Sequence, residues 1–408
     1  MGIILQNEWR NRAIFAAIII MLISLFVSRA FLSVSIIVFL GITIINKNIL
    51  SQLIFFFRSP LLISMSLLFF IPFISGLWSS NGHTWLDISR IKLPFLLFPL
   101  AFAGNWQLPE KQWRTIAYCF VLIVLIGCCW SLFQYFTNPG AINESYLRAK
   151  TLPTPLDSDH VRFSWLVSIA VVCGTLLIYT TSNRLTKAFL ISSTILLVIY
   201  LHVLSARTGL VLIYFFFLCF ILYLAVQRKR NFVFVLAGIL IIALTSWLLF
   251  PTLQNRIKYN VYDFSFLKSN NNIPGTSDAN RLISLKAGWH ILQKNPLGVG
   301  AGDIRDEANK WYETNVAHSM TEPDKLFPSS EWIIYGDIAG WPGVVLFTFV
   351  IILSLFIKQI RHRFFWIMLV AMAIGCCLVE TTLEIQFGIF IYCFTVLWWW
   401  KWLKIQIK

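Results

Sequence analysis

Residues 231–250 read NFVFVLAGILIIALTSWLLF and residues 332–357 read WIIYGDIAGWPGVVLFTFVIILSLFI; between them lies 251–331, rich in polar, charged and aromatic side chains. A bilayer core takes about 20 apolar residues of helix per crossing, so each flanking run is long enough to span. The stretch between them carries Arg281, His290, Arg305, His318 and Glu331, and hydrocarbon excludes such groups unless a protein cavity receives them. The fold is decided here. A membrane-embedded helical bundle carries one large polar insertion.

Working outward from that junction, about twelve apolar stretches are long enough to be read as spans. They are 12–28, 30–45, 60–77, 93–104, 115–136, 163–180, 187–204, 208–226, 231–250, 332–357, 364–380 and 385–400. The stretch 93–104 is short and holds Pro94 and Pro99, which reads as a kinked span or a re-entrant segment. Composition agrees: 58% hydrophobic and 12% charged residues exclude an ordinary soluble globule, which runs nearer 25% charged. The expected architecture is an all-α polytopic membrane protein. Residues 1–250 hold nine transmembrane helices, 251–331 form the large loop with an amphipathic helix, and 332–408 hold the last three.

Lys and Arg accumulate on the cytoplasmic side of a membrane protein. With the N-terminus inside, Arg10, Arg12, Lys47, Arg58, Lys111, Arg114, Arg184, Lys187, Arg228, Lys229, Arg230, Lys358, Arg361, Arg363, Lys401, Lys404 and Lys408 face the cytoplasm, opposed only by Glu8 and Glu110. These are seventeen of the 33 basic residues, so the formal net charge of +15 lies on that face, seventeen minus two. Such a charge signals topology and attraction to anionic headgroups, not a nucleic-acid footprint. Both termini are then cytoplasmic and the 251–331 loop faces outward. All eight cysteines lie within apolar runs, which implies no disulfide framework. No cofactor or metal motif is present.

Within the loop, the spacing predicts a helix from Ser277. Ser277 or Asp278 caps it, Leu282, Leu285, Trp289 and Leu292 recur at 3-4-3 spacing as an apolar stripe, and Asn295-Pro296 ends it. The glycines of Gly298-Val299-Gly300-Ala301-Gly302 follow a helix rather than a strand, so they read as a structural turn and not as a dinucleotide fingerprint.

The outward boundary is rich in arginine: Arg29, Arg90, Arg148, Arg162, Arg207, Arg256, Arg281 and Arg305. Guanidinium forks match phosphate oxygens and stay charged when partly desolvated. Arg29, Arg256 and Arg305 read as boundary residues whose heads snorkel to water. Arg162 and Arg207 sit at helix ends in short polar motifs, and with Arg90 and Arg281 they are candidates to bind a diphosphate. Guanidinium groups could stabilise a departing diphosphate as a metal does elsewhere.

Four pieces of the chain resemble the O-antigen ligase and polymerase superfamily of bacterial membrane glycosyltransferases. They are Ser205-Ala206-Arg207-Thr208-Gly209; Arg281 with Trp289 and Asn295-Pro296-Leu297-Gly298-Val299-Gly300; Pro328-Ser329-Ser330-Glu331-Trp332 leading to Gly340-Trp341-Pro342-Gly343; and the large loop between spans nine and ten. The resemblance implies a GT-C-like helical fold acting at the periplasmic face of the bacterial inner membrane. The donor would be an undecaprenyl-diphosphate-linked glycan and the acceptor a sugar hydroxyl of lipid A–core, joined with inversion and without a metal. In the resembled ligases a His precedes Asn, Ser or Gln, nine residues, Gly, two residues and Gly or a similar residue. Here Ser330, residues 331–339, Gly340 and Gly343 fit that frame, and Ser329 stands where the His would be. A serine hydroxyl does not accept a proton near neutral pH as imidazole does. Glu331, His318 and His160 are therefore the candidates for the catalytic base, with Ser329 and Ser330 lining the acceptor approach. The rival readings are a polymerase joining lipid-linked repeat units and, from another class, a lipid-linked glycan transporter.

Overall fold

The computed structural model describes residues 2–45, 48–148, 150–156, 158–228, 231–269, 277–316 and 325–405. Among these residues the regular structure is helical, and the one pairing of extended backbone is an isolated bridge between Ile360 and Lys404. The chain divides into two compact units. The first comprises Met1–Trp113 with Asn271–Lys408, and the second Arg114–Asn270.

The N-terminal part of the first unit runs α1 (Gly2–Val27), α2 (Arg29–Ile44), α3 (Ile49–Arg58), α4 (Pro60–Ile74), α5 (Gly82–Lys92) and α6 (Pro94–Phe102). The second unit holds most of α7 (Glu110–Thr137), then α8 (Pro139–Ser145), α9 (His160–Thr180), α10 (Arg184–Leu204), α11 (Arg207–Val226), α12 (Asn231–Leu249) and α13 (Pro251–Ser269). The chain returns to the first unit with α14 (Ser277–Lys294), α15 (Ile304–Asn315), α16 (Glu331–Leu353), α17 (Arg363–Val379) and α18 (Gln386–Leu403).

Among the described residues, eight helices are long and apolar enough to cross a membrane, or nine if α2 and α3 form one broken span. The twelve expected from apolar runs are not reached, for local reasons. The run 30–45 becomes the 16-residue α2, and 364–380 the 17-residue α17. The run 93–104 becomes the nine-residue α6, about 14 Å long at 1.5 Å per residue and too short to cross alone. In α18, Trp398, Trp399, Trp400, Trp402 and Lys401 lower the hydropathy of an 18-residue helix that is buried almost throughout.

In the first unit, α16 is one helix only by continuity. Ala339 (φ −133°, ψ 20°) and Gly340 (φ 66°, ψ −156°) break it ahead of Pro342. A broken helix needs new partners for its carbonyls, and the loop after α14 supplies them. Val299 N donates to Asp337 O at 2.8 Å, Gly300 N to Ile338 O at 3.1 Å, and Trp341 N to Pro296 O at 3.0 Å. The approach leaves no room for side chains: a Cβ on Gly340 would lie 1.9 Å from Pro296 O, and one on Gly298 2.4 Å from Ile338 O. The glycine run is thus a structural turn, as its position after a helix predicts.

The α14 helix forms where its spacing places it and ends before Asn295-Pro296, and it buries the expected stripe only in part. Leu282 and Trp289 are exposed, whereas Ser284, Ala287, Gly288, Ile291 and Leu292 are buried or packed against neighbours. A Cβ on Gly288 would meet Ile333 Cγ2 at 2.4 Å. Small residues let α14 lie close to α16, as they do between membrane helices, and of the expected stripe Leu292 packs against Gly336 and Trp289 meets Trp341 edge-on at 5.9 Å.

Candidate functional site

In the second unit, α9 and α11 place two arginines at one end of a packed helix pair. Ser164 of α9 meets Gly209 of α11 so closely that a Cβ on Gly209 would lie 2.6 Å from Ser164 Cβ, and Ser168 Oγ donates to Gly209 O at 3.3 Å. The contact lies within the first turns of both helices, so Arg162 and Arg207 share that end. Free N–H groups and the macrodipole make helix starts favourable to anions. Asp159 caps α9 by accepting from Arg162 N at 3.1 Å and also pairs with the Arg162 guanidinium at 2.5 Å. His160, two residues before Arg162, is half-buried in the same turn.

The sharp passage into α11 is held from below. Ser205 adopts the left-handed conformation (φ 50°) and its hydroxyl donates to His202 O at 2.7 Å. Tyr146 OH donates to Leu204 O at 2.8 Å and accepts from Leu152 N at 3.1 Å. Burial pushes the Tyr146 phenol above its ordinary pKa, so it remains a donor, although the positive charge of Arg256 opposes that rise. Arg256 does not snorkel as its boundary position suggests. It is 5% exposed and lies 5.6 Å from the Tyr259 ring. Its neighbours explain the difference, because aromatic faces receive a guanidinium that water would otherwise solvate.

In the first unit the polar groups gather where α14, the start of α16, the end of α5 and the turn between α17 and α18 meet. Arg281 of α14 pairs with Glu380 at 2.7 Å. Lys92, fully buried at the end of α5, donates to Glu384 at 2.6 Å and sits 4.8 Å from the Tyr335 ring. Glu331, fully buried, accepts from Leu383 N at 2.6 Å. Ser329 and Ser330 are buried beside it, and Ser329 Oγ lies 2.9 Å from Ser284 Oγ. The structure thus brings Arg281, Ser329, Ser330 and Glu331 into one neighbourhood. Arg90 stands apart, largely exposed on α5 with Asp87 at 3.5 Å. His318 lies outside the described residues.

Sequence reasoning passed from Arg90 to its neighbour without weighing Lys92. The signal was available: Lys92 directly precedes the apolar α6, where an ammonium needs a carboxylate partner. Glu380 and Glu384 stand between α17 and α18, and pairing with cations is the role the structure gives them. Among the described residues no group of three or more His, Cys, Asp or Glu side chains is placed to hold a metal ion. Gly340 and Gly343 of the sequence frame serve the backbone, since a Cβ on Gly343 would lie 2.0 Å from Tyr335 O.

Residues 192–348 match the family model described as O-antigen ligase. The match covers 157 of the 408 residues, so it is a similarity of this segment to that family. The matched span includes Arg207, Arg281, Ser329, Ser330 and Glu331 and stops short of Arg90, His160 and Arg162 on one side and Glu380 on the other. No curated protein matches the chain. With its apolar helices, the chain is a polytopic helical membrane protein that contains a segment similar to the O-antigen ligase family.

Proposed function

We propose that the protein is an O-antigen ligase of the bacterial inner membrane, with both termini cytoplasmic and the site periplasmic. It moves a glycan en bloc from undecaprenyl diphosphate to a sugar hydroxyl of lipid A–core. The observation that carries this reading is the pair of arginines at the shared end of α9 and α11, held there by the Ser164–Gly209 contact. Two guanidinium groups and two helix starts can hold a diphosphate and stabilise the charge that develops as it leaves. Arg281, held by Glu380 at 2.7 Å, and the exposed Arg90 are the further guanidinium groups we propose for diphosphate binding.

Attack by the acceptor hydroxyl on the anomeric carbon, on the face opposite the diphosphate, inverts that centre. The hydroxyl proton passes to His160 or Glu331. Glu331 is buried and already accepts from Leu383 N, which suits it to positioning the 380–384 turn, and His160, half-buried in the turn that carries Arg162, is the acceptor we favour. A polymerase reading is supported by one observation. Ser329, at the position of the ligase histidine, is buried and engaged with Ser284, so acceptor activation here differs from the ligase pattern.

Purified protein assayed with a lipid-linked glycan and defined acceptors separates the readings. Product on lipid A–core supports the ligase, and longer polyprenyl-linked chains support the polymerase. Full transfer by Arg207→Ala removes the mechanism in either form.

A further inference from the structure

At the far ends of α6 and α18 from the cluster just described, the first unit contains a cavity of about 620 Å³. Its lining comes from α3, from residues 102–107 after α6, from Gln359 and from the end of α18. The floor is tied by backbone pairing: Ile405 N donates to Gln359 O at 2.9 Å and Arg361 N to Leu403 O at 2.8 Å. Among the described residues, two ammonium groups line this cavity and no carboxylate does.

Lys401 Nζ donates to Phe102 O at 2.9 Å and Gly104 O at 2.6 Å and lies 3.9 Å from the Trp106 ring. Lys404 Nζ lies 4.9 Å from both the Phe55 and Trp400 rings. These contacts fix the cations by carbonyl dipoles and aromatic faces, which leaves their charge uncompensated by any anion of the lining. Asn105, Gln107 and Gln359 add exposed amides at the rim. The apolar wall beside the cavity is α3, which turns 104° from α2 and exposes Leu50, Ile54 and Phe57 on the outer side of buried Gln52 and Phe56. That is the pattern of a helix lying in the membrane interface.

We infer that this cavity binds the phosphate headgroup of an anionic glycerophospholipid, with Lys401 and Lys404 facing the phosphate and the acyl chains running along α3. Basic pockets between membrane helices receive such headgroups, and the α3 surface favours a lipid over a soluble phosphate. The inference does not depend on the transfer reaction or on which leaflet the cavity faces.

The full chain in nanodiscs of phosphatidylglycerol mixed with phosphatidylcholine, analysed by native mass spectrometry, tests it. Wild type is expected to retain phosphatidylglycerol selectively, and Lys404→Gln to retain it about fivefold less. Lys187→Gln, which removes an exposed charge on α10 in the other unit, is expected to change nothing. Should Lys404→Gln fail to fold, Gln107→Leu on the exposed rim is measured instead, with a smaller loss expected. Equal retention of the two lipids, or equal weakening by the Lys404 and Lys187 variants, overturns the site. Displacement of the lipid by millimolar inorganic phosphate overturns the lipid assignment and leaves a soluble phosphoanion as the ligand.

Discussion

The two units use their charged residues differently. In the first, the more buried ion pairs join residues remote in sequence, Lys92 with Glu384 and Arg281 with Glu380, each linking a helix to the turn between α17 and α18, while local pairs such as Arg90–Asp87 lie at the surface. In the second, the Arg162–Asp159 pair is local, three residues apart within one helix start. A remote pair ties the architecture, and breaking the Lys92 pair leaves a charge stranded where water hardly reaches. A local pair only orients a side chain. The first unit's cations therefore matter to the fold before they matter to chemistry, and the second unit's arginines can be altered with the helices intact.

The largest expected effect follows from that contrast. Lys92→Ala leaves Glu384 without its buried partner, and loss of one member of such a pair costs about 3–5 kcal/mol. The thermal midpoint in detergent should fall sharply, and the double change Lys92→Met with Glu384→Gln should recover most of it. If Lys92→Ala melts as wild type does, the remote pairs do not tie the unit. Next comes Arg207→Ala in the second unit. Loss of one group that stabilises developing charge costs about 10²–10³ in rate, and here the midpoint should stay within a degree or two of wild type. A fold-driven loss of activity in this variant would erase the distinction between the units.

A smaller effect, again on architecture, is expected at the α14–α16 contact. Ser284→Leu places a branched side chain where Ser284 Oγ meets Ser329 Oγ at 2.9 Å, and overpacking of this kind costs about 1–3 kcal/mol. An unchanged midpoint would mean that α14 can withdraw from α16 without cost.

Much of the helical framework was legible in the sequence, because apolar runs of span length leave few alternatives to helix. The start of α14 near Ser277, its end before Asn295-Pro296 and the structural use of the glycines were legible from capping and breaker chemistry. The packed face of α14 was legible only in part. A sequence reading weighs the large side chains Leu282 and Trp289, whereas close helix packing is decided by small ones such as Ser284 and Gly288. Four of the twelve expected spans fall short of span length or hydropathy for a related reason, since short helices such as α6 are stable when packed on neighbours even though none crosses alone. The arginine motifs pointed to Arg162 and Arg207 because each opens a helix. Lys92 escaped because its burial depends on a partner far along the chain, Glu384, which no local pattern announces.

The smallest effect isolates charge from geometry in the second unit. Asparagine caps a helix as well as aspartate, so Asp159→Asn keeps an acceptor for Arg162 N and removes only the ion pair. Its stability cost should be about 1 kcal/mol or less. If Asp159 merely aims Arg162, donor KM should rise a few-fold while kcat holds, because the guanidinium is still present but less well directed. The matched change in the first unit, Glu380→Gln, unpairs Arg281 from a remote segment and should lower the thermal midpoint more than Asp159→Asn does. Were the order reversed, with the local pair costing more than the remote one, sequence separation would not be what distinguishes the two sets of charges, and burial alone would have to account for them.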